Sequence, residues 1–377
     1  MSAPTLFISR RVAGLAHSLR QGLIALPFFL FVTKPVFAQK SSQPPVETVT
    51  PVCRSLPLHL SPKTSTTEAN NGLAKILDDF EMAFLLGDSE IFARTVSPAL
   101  LKKKEEAQKI FEGTVLEYGL KKVKLQRNWL WDLQIGSSPE PGRLIDCGTL
   151  AIQPVYGPTQ QYAVQYSTYS GTQQSRIFVL FGLIPDLKNS PKPKEQLRPG
   201  LVHMQVQRWT YDGRAPDRLL TEAQKTSSAG DPLVASLLAE SAARILEINP
   251  YLRLPQLKDT RELANQFAEN AKEQQRSLLQ TEKSSTDWRP EKIVPVFRDS
   301  SLAVGIKIRM HKEMSLNEQR DRCLQTAHRV FTKTSPWRSS FSGVECMVYA
   351  LNEDLNKPPS GGSQFFPWSR VDSGRNH

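Results

Sequence analysis

The sequence lacks the short motifs that mark the common enzyme classes. It contains no G-x-S-x-G turn, no phosphate-binding P-loop, no G-x-G-x-x-G after a strand pattern and no H-E-x-x-H pair. Histidine is also scarce: 6 occur in 377 residues, and no two stand four residues apart, where a helix would bring them to one metal ion. These absences argue against the familiar serine, cysteine and zinc hydrolases, and the sequence predicts neither a metal site nor a cofactor.

Long apolar runs are absent as well, and the longest uninterrupted one covers only the ten residues from Leu23 to Val32. A helix needs roughly 20 apolar residues to cross a bilayer. The run follows a basic leader without any acid and precedes the small-residue ending Val36-Phe37-Ala38. This pattern is typical of a secretory signal peptide, so we expect cleavage after Ala38.

The predicted signal peptide (residues 1–38) implies an exported chain, periplasmic or extracellular, with no transmembrane span after cleavage. Three alternatives remain open. Ser9-Arg10-Arg11 resembles the start of a twin-arginine signal. An organellar transit peptide fits the acid-free composition but not the apolar block. An uncleaved segment would instead act as a short membrane anchor.

The chain carries a net charge of +11, and the leader holds four of its 48 lysines and arginines. The remaining 44 face 37 acids, which leaves a balance of +7. A moderately basic surface is compatible with a partner that has an anionic surface. The spacing of the basic residues does not predict specific recognition of nucleic acid. Hydrophobic residues make up 39% of the chain, which is enough for a folded core.

Cysteine is rare: only 4 occur, all beyond the leader, and none forms a C-x-x-C pair. An even number of cysteines in an exported chain favours disulfides. Of the three possible pairings we favour Cys53–Cys147 and Cys323–Cys346, because each bond stays within or next to one predicted domain. Four buried free thiols remain the alternative.

Changes in composition and periodicity predict an α+β protein divided into six segments. The segments are a signal peptide (1–38), a Ser-, Thr- and Pro-rich linker (39–70), a cone-like α+β domain with helices packed on a curved antiparallel sheet (71–212), a helical connector (213–285), a small disulfide-linked α+β domain (290–352) and a disordered tail (353–377).

Two segments of the predicted sheet carry specific expectations. Residues 176–184, RIFVLFGLI, are apolar on both faces, which predicts a central strand that is covered on both sides. Residues 201–209, LVHMQVQRW, alternate between apolar and polar side chains. We therefore expect Val202, Met204 and Val206 to face one way and His203 the other.

Two helical segments meet at a Gly-Asp corner: ILDDF, from Ile76 to Phe80, and LLGDSEIF, from Leu85 to Phe92. With a third helix and a following antiparallel sheet, this order resembles the nuclear-transport-factor-two-like superfamily of cone-shaped α+β domains over residues 66–212. The resemblance implies a sheet wrapped around a pocket that the helices close. Members of the superfamily include small isomerases and dehydratases, ligand binders and periplasmic scaffolding domains, so the resemblance leaves the function open.

Enzymes of that superfamily use an acid–base pair that lines the cone, which makes His203, Tyr162 and Tyr166 the catalytic candidates of this chain. If the strands at 161–169 and 201–210 pair, His203 shares a face with both tyrosines in a polar pocket suited to acid–base chemistry. The alternative is a sheet face that is solvated, or packed with its polar groups satisfied. The sequence places no carboxylate next to His203.

Charged clusters provide the other candidate sites. Asp78, Asp79 and Glu81 spread around their helix, so we predict a solvated face and not a metal site. Three lysines of the proline-rich loop over residues 185–199 form a candidate contact with an anionic surface, namely Lys188, Lys192 and Lys194.

The sequence therefore favours a non-enzymatic binding or assembly module of the cell envelope, with an envelope protein as its partner. Two alternatives remain: a small isomerase- or lyase-like enzyme that uses the cone pocket, and a binder of anionic glycans or lipids. A deep pocket that holds His203 and a carboxylate would support the enzyme, and a filled cone would contradict it.

Overall fold

The structure is a computed structural model that describes residues 52–60, 68–97, 104–135, 144–148, 150–155, 160–185, 197–247, 249–280, 287–331 and 336–373. The predicted signal peptide and most of the predicted linker lie outside these residues, and so do Lys188, Lys192 and Lys194. The described residues form nine helices and twelve strands, so the chain is α+β, as predicted.

The described residues of the first half of the chain form three helices and seven strands. In chain order its elements are β1 (Val52–Ser55), α1 (Glu68–Leu86), α2 (Ser89–Thr95), α3 (Lys104–Tyr118), β2 (Gln126–Gln134), β3 (Ile145–Asp146), β4 (Ala151–Ile152), β5 (Gln160–Ser170), β6 (Gln173–Pro185) and β7 (Leu197–Arg208).

The second half continues with helices and a second sheet. Its elements are α4 (Pro216–Ser228), α5 (Pro232–Glu247), β8 (Leu252–Arg253), α6 (Gln256–Gln280), β9 (Trp288–Arg298), β10 (Ser301–Met310), α7 (Leu316–Phe331), α8 (Pro336–Ser340), β11 (Gly343–Ala350), β12 (Ser363–Pro367) and α9 (Trp368–Ser373).

Five antiparallel strands form the larger sheet in the order β1-β2-β5-β6-β7, and α1, α2 and α3 cover one of its faces. The corner between α1 and α2 forms as its sequence predicts. Gly87 adopts the left-handed φ of 68° that closes a helix, and the Asp88 carboxylate accepts hydrogen bonds from the backbone N–H groups of Glu90 at 2.8 Å and Ile91 at 3.1 Å.

Strand β6 is an interior strand of the sheet, between β5 and β7, and is buried on both faces, as its apolar sequence predicts. Ile177, Val179 and Phe181 pack under the helices. Phe178 and Leu180 pack on the opposite face, against a small three-stranded sheet formed by β3, β4 and β8.

Strand β7 departs from the predicted alternation, because its pairing with β6 shifts between Leu201 and His203. Val202 is the extra residue of this bulge. It therefore packs on the face away from the helices, whereas Met204 and Val206 face the helices.

The second half has one continuous core. Helix α5 is buried along most of its length between α4, α6 and the second sheet, whose strand order is β12-β11-β10-β9. Strands β10 and β11 are parallel, and the other pairs are antiparallel. Apolar side chains of α5, β10 and α7 belong to the same hydrophobic cluster. The connector (213–285) and the small domain (290–352), predicted as separate units, thus share their core.

The tail predicted to be disordered (353–377) contains two packed elements, so that prediction is wrong for residues 363–373. Strand β12 pairs with β11, and α9 follows directly. Phe366 is 1% exposed and Val371 is completely buried. The sequence of residues 358–362 contains two prolines and two glycines, a composition typical of a tail. Sequence alone therefore assigns the short apolar segment that follows, 363–373, to the tail as well.

Both predicted disulfides are confirmed. Cys53 of β1 is bonded to Cys147, which follows β3, and Cys323 of α7 is bonded to Cys346 of β11. Such bonds are typical of proteins in oxidising compartments. Within the described ranges, no helix combines the length and the apolar composition that crossing a membrane requires.

Candidate functional site

The structure separates the three catalytic candidates. Strand β6 lies between β5 and β7, so the strands that carry the tyrosines and the histidine do not pair. Tyr162 and Tyr166 belong to the core under the helices. His203 lies on the opposite face, where it pairs with Leu180. The predicted shared pocket is therefore not formed.

His203 is enclosed by aromatic rings. Its ring centroid lies 4.1 Å from that of Tyr251 and 6.1 Å from that of Phe178. The residue is only 1% exposed. Burial to this degree gives a substrate no direct access to the imidazole.

Aromatic rings also fill the space between the helices and the larger sheet. Phe80 contacts Phe84, Phe92, Tyr166 and Phe181, with ring centroids between 5.2 and 6.0 Å apart. None of the five is more than 1% exposed. Where the superfamily resemblance implies a pocket, these side chains form a packed core.

Sequence reasoning missed a polar cluster around Arg127 of β2. Its guanidinium donates hydrogen bonds to the Glu81 carboxylate, to the Asp78 carboxylate at 3.3 Å and to the Leu58 carbonyl at 3.0 Å. The buried phenol of Tyr166 lies near these charges. The sequence offered one hint, because Asp78 and Glu81 stand three residues apart on one side of α1. We call these five residues the Arg127 cluster.

Burial and pairing together set the protonation of the Arg127 cluster. Burial raises the pKa of the Glu81 carboxyl, although the hydrogen bond and the charge of Arg127 oppose this rise. Burial also holds the pKa of the Tyr166 phenol well above its usual value, and the Glu81 charge adds to the effect. For Arg127, burial would lower the pKa, but the hydrogen bond and the charge of Glu81 outweigh it and raise the pKa. The cluster joins β2 to α1 through ion pairs and to the segment 52–60 through the hydrogen bond to the Leu58 carbonyl.

A pocket of about 390 Å³ lies at the edge of the second sheet, between the start of α7 and strand β12. We call it the edge groove, and it is lined by Leu316, Asn317, Arg320, Gln364, Phe365 and Phe366. Half of these residues fall in the tail that the sequence predicted to be disordered, so sequence reasoning could not assemble this site.

The Arg127 cluster and the edge groove differ in what they can do. The first is closed by its own ion pairs, whereas the second includes the exposed side chains of Leu316 and Arg320. No protein-family model, curated protein or solved structure matches the chain. Nor do three His, Cys, Asp or Glu side chains group as metal ligands anywhere in the described part. The edge groove is therefore the candidate ligand site.

Buried phenols make the folded chain sensitive to alkali. Burial raises the pKa of Tyr162 to about 12, with an added contribution from the Asp132 charge, and burial raises the pKa of Tyr211 to about 12. A phenol of the unfolded chain ionises near pH 10, roughly its unperturbed value. The folded state therefore binds more protons between these values, and its stability is lost as the pH rises through them.

We expect the tyrosinate absorbance of the folded chain to include a step near pH 12, roughly the raised pKa of Tyr162 and Tyr211. Replacing Tyr162 by Phe should reduce that step by one phenol, because the remaining phenols keep their surroundings. Ionisation of every phenol of the folded chain at the pH of the denatured chain would contradict this prediction.

Proposed function

We propose that the protein is a non-enzymatic binding or assembly module of the cell envelope, exported to the periplasm. The observation that carries the proposal is the packed aromatic core between the helices and the larger sheet, which favours a scaffold over a small-molecule pocket. The two disulfides support export. The order of α1, α2 and α3 before strands β2, β5, β6 and β7 supports a relationship to the nuclear-transport-factor-two-like superfamily, which is part of the same proposal.

The position of the edge groove supports binding to another macromolecule. Pockets for small substrates are concave and enclose most of the ligand surface. The edge groove instead lies beside the last strand of a sheet and includes Leu316, which is 69% exposed. A site of this kind suits a segment of another protein.

Export is tested with the full chain in a bacterial host that has a periplasm. We expect the protein in the periplasmic fraction, with Gln39 as its first residue and a mass that corresponds to two disulfides. A cytoplasmic chain with its leader intact and four reactive thiols would contradict the proposal.

Assembly is tested by comparing the protein in gently solubilised envelopes with the purified chain. We expect a larger particle from the envelope, and the same partner should appear in repeated preparations. Migration of both samples as the single chain would contradict an assembly role, whether or not export is confirmed.

A further inference from the structure

We propose that the edge groove binds an extended acidic peptide segment, which adds to the second sheet as a fifth strand beside β12. This inference rests on the proposed binding function, and it names the site and the chemistry of the partner.

Strand β12 offers one backbone edge for this purpose. It pairs with β11 from Ser363 to Pro367 along one side, and no other described strand pairs with it. The N–H and C=O groups at an open sheet edge are a template for an added strand. Backbone hydrogen bonds would therefore contribute affinity whatever the sequence of the peptide.

The lining residues place the groove along this open edge. Gln364, Phe365 and Phe366 are consecutive, although neighbouring side chains of a strand point to opposite faces. A groove that contacts all three must lie beside the strand and not over one face. Leu316 and Arg320 form the other wall, since residues four apart share one side of a helix.

The side chains of the groove favour carboxylates beside apolar groups. Leu316 is 69% exposed although it is large and apolar. Arg370 of α9 lies over the ring of Phe366, with its guanidinium carbon 5.9 Å from the ring centroid. Neither Arg320 nor Arg370 forms an ion pair with any residue that the structure describes. Two cations that pair with no acid of the described ranges, next to exposed apolar surface, are complementary to an acidic peptide.

Other occupants fit less well. An anionic glycan or lipid would satisfy the cations but would not use the backbone edge of β12. A second copy of the chain that paired through β12 would bring Arg320 and Arg370 of both copies to one interface, where like charges repel.

The test selects short peptides from a random phage-displayed library on the mature chain with both disulfides intact. We expect enrichment of acidic peptides without central prolines. For a selected peptide, Arg320→Glu should weaken binding by about tenfold or more, as expected for loss of one charged contact. Arg322→Glu makes the same charge change on the same helix, but Arg322 pairs with Glu318 at 3.3 Å and does not line the groove. We expect binding to this control to be unchanged. Thermal unfolding of the Arg320→Glu variant should match the parent, since Arg320 is exposed.

Strand addition is tested with two versions of the selected peptide, in which alternate backbone amides are N-methylated. One version loses the N–H groups that face β12 and should not bind, whereas the other loses those that face away and should bind normally. Equal binding of both versions would overturn strand addition.

A library that yields no peptide would also overturn the proposal, as would peptides that ignore Arg320→Glu. Binding of phosphatidylglycerol vesicles or heparin, in place of peptides and with the same dependence on Arg320, would assign the groove to an anionic surface and overturn it as well. If export and complex formation persist in any of these cases, the envelope function stands and only this site is lost.

Discussion

Removing the buried disulfide of the second sheet, by Cys323→Ala with Cys346→Ala, should lower the free energy of unfolding by about 4 kcal/mol. The two residues are 23 apart in sequence, and the loss of a loop of that length releases unfolded-chain entropy worth about 3 kcal/mol. Both cysteines are completely buried, so the missing sulfurs also leave a small cavity that costs about 1 kcal/mol. Equilibrium urea unfolding, followed by tryptophan fluorescence, measures the difference.

Val344→Ala is the matched control for the cavity. Val344 lies two residues from Cys346 on β11, is equally buried and belongs to the same hydrophobic cluster. Its truncation leaves the loops of the unfolded chain unchanged, so we expect a loss of about 2 kcal/mol. A disulfide variant no less stable than this control would show that the bond contributes packing alone.

Local features of the fold could be predicted because their causes lie within a few residues. The Gly-Asp corner after α1 and the apolar faces of β6 are of this kind. The start of α7 is another, since the hydroxyl of Ser315 accepts a hydrogen bond from the Glu318 N–H, three residues on, at 3.2 Å. The disulfide pairing also followed from chain organisation, because each bond joins residues of one predicted region or its neighbour.

The catalytic grouping failed because it depended on the order of strands. Alternation within β7 places His203 and Met204 on different faces of the sheet. It does not determine on which of these faces the tyrosines of β5 lie. Whether His203 and the tyrosines share a face depends on the intervening strand and on its register. A register shift of one residue moves every side chain of a strand to the other face. The actual surroundings of Tyr166 include Glu81 and Arg127, which are 46 residues apart.

The edge groove could not be predicted for a related reason. Its two walls, the start of α7 and strand β12, are separated by the intervening strand β11 and by a stretch rich in proline and glycine. The composition of that stretch favours a tail, whereas the packing of Phe366 and Val371 into the core of the second half decides the outcome. Burial of a few apolar residues against a preformed sheet overrides a weak local preference.

Arg127→Leu should lower the free energy of unfolding by about 3 kcal/mol, because it leaves the Glu81 carboxylate partly buried without its cation. The side chain of Arg127 is 10% exposed and that of Glu81 is 27% exposed. Because the pair is not fully buried, we expect a loss of stability at the lower end of the range for breaking a buried ion pair. The substitution also removes the donor to the Leu58 carbonyl. Urea unfolding measures the loss, and faster hydrogen exchange in residues 52–60 should accompany it.

Two further variants separate the causes of that loss. Arg218→Leu breaks an exposed pair with Glu222, at 3.2 Å, and should change stability by no more than about 0.5 kcal/mol. Adding Glu81→Leu to Arg127→Leu removes both charges, so we expect most of the stability to return. Without such recovery, Arg127 would act through Leu58 and packing instead of through Glu81.

The pH dependence of Arg127→Leu gives an independent check on the Glu81 charge. Burial already raises the pKa of Glu81 in the folded chain, and removal of Arg127 takes away the charge and the hydrogen bond that oppose the rise. The folded variant then binds more protons than the unfolded chain between the unfolded and folded pKa values, so its stability should increase as the pH falls through that interval. A loss of the same size at every pH would contradict a buried carboxylate as the cause. In that case the contact with Leu58, five residues from Cys53, would be the interaction that attaches the segment 52–60 to the domain.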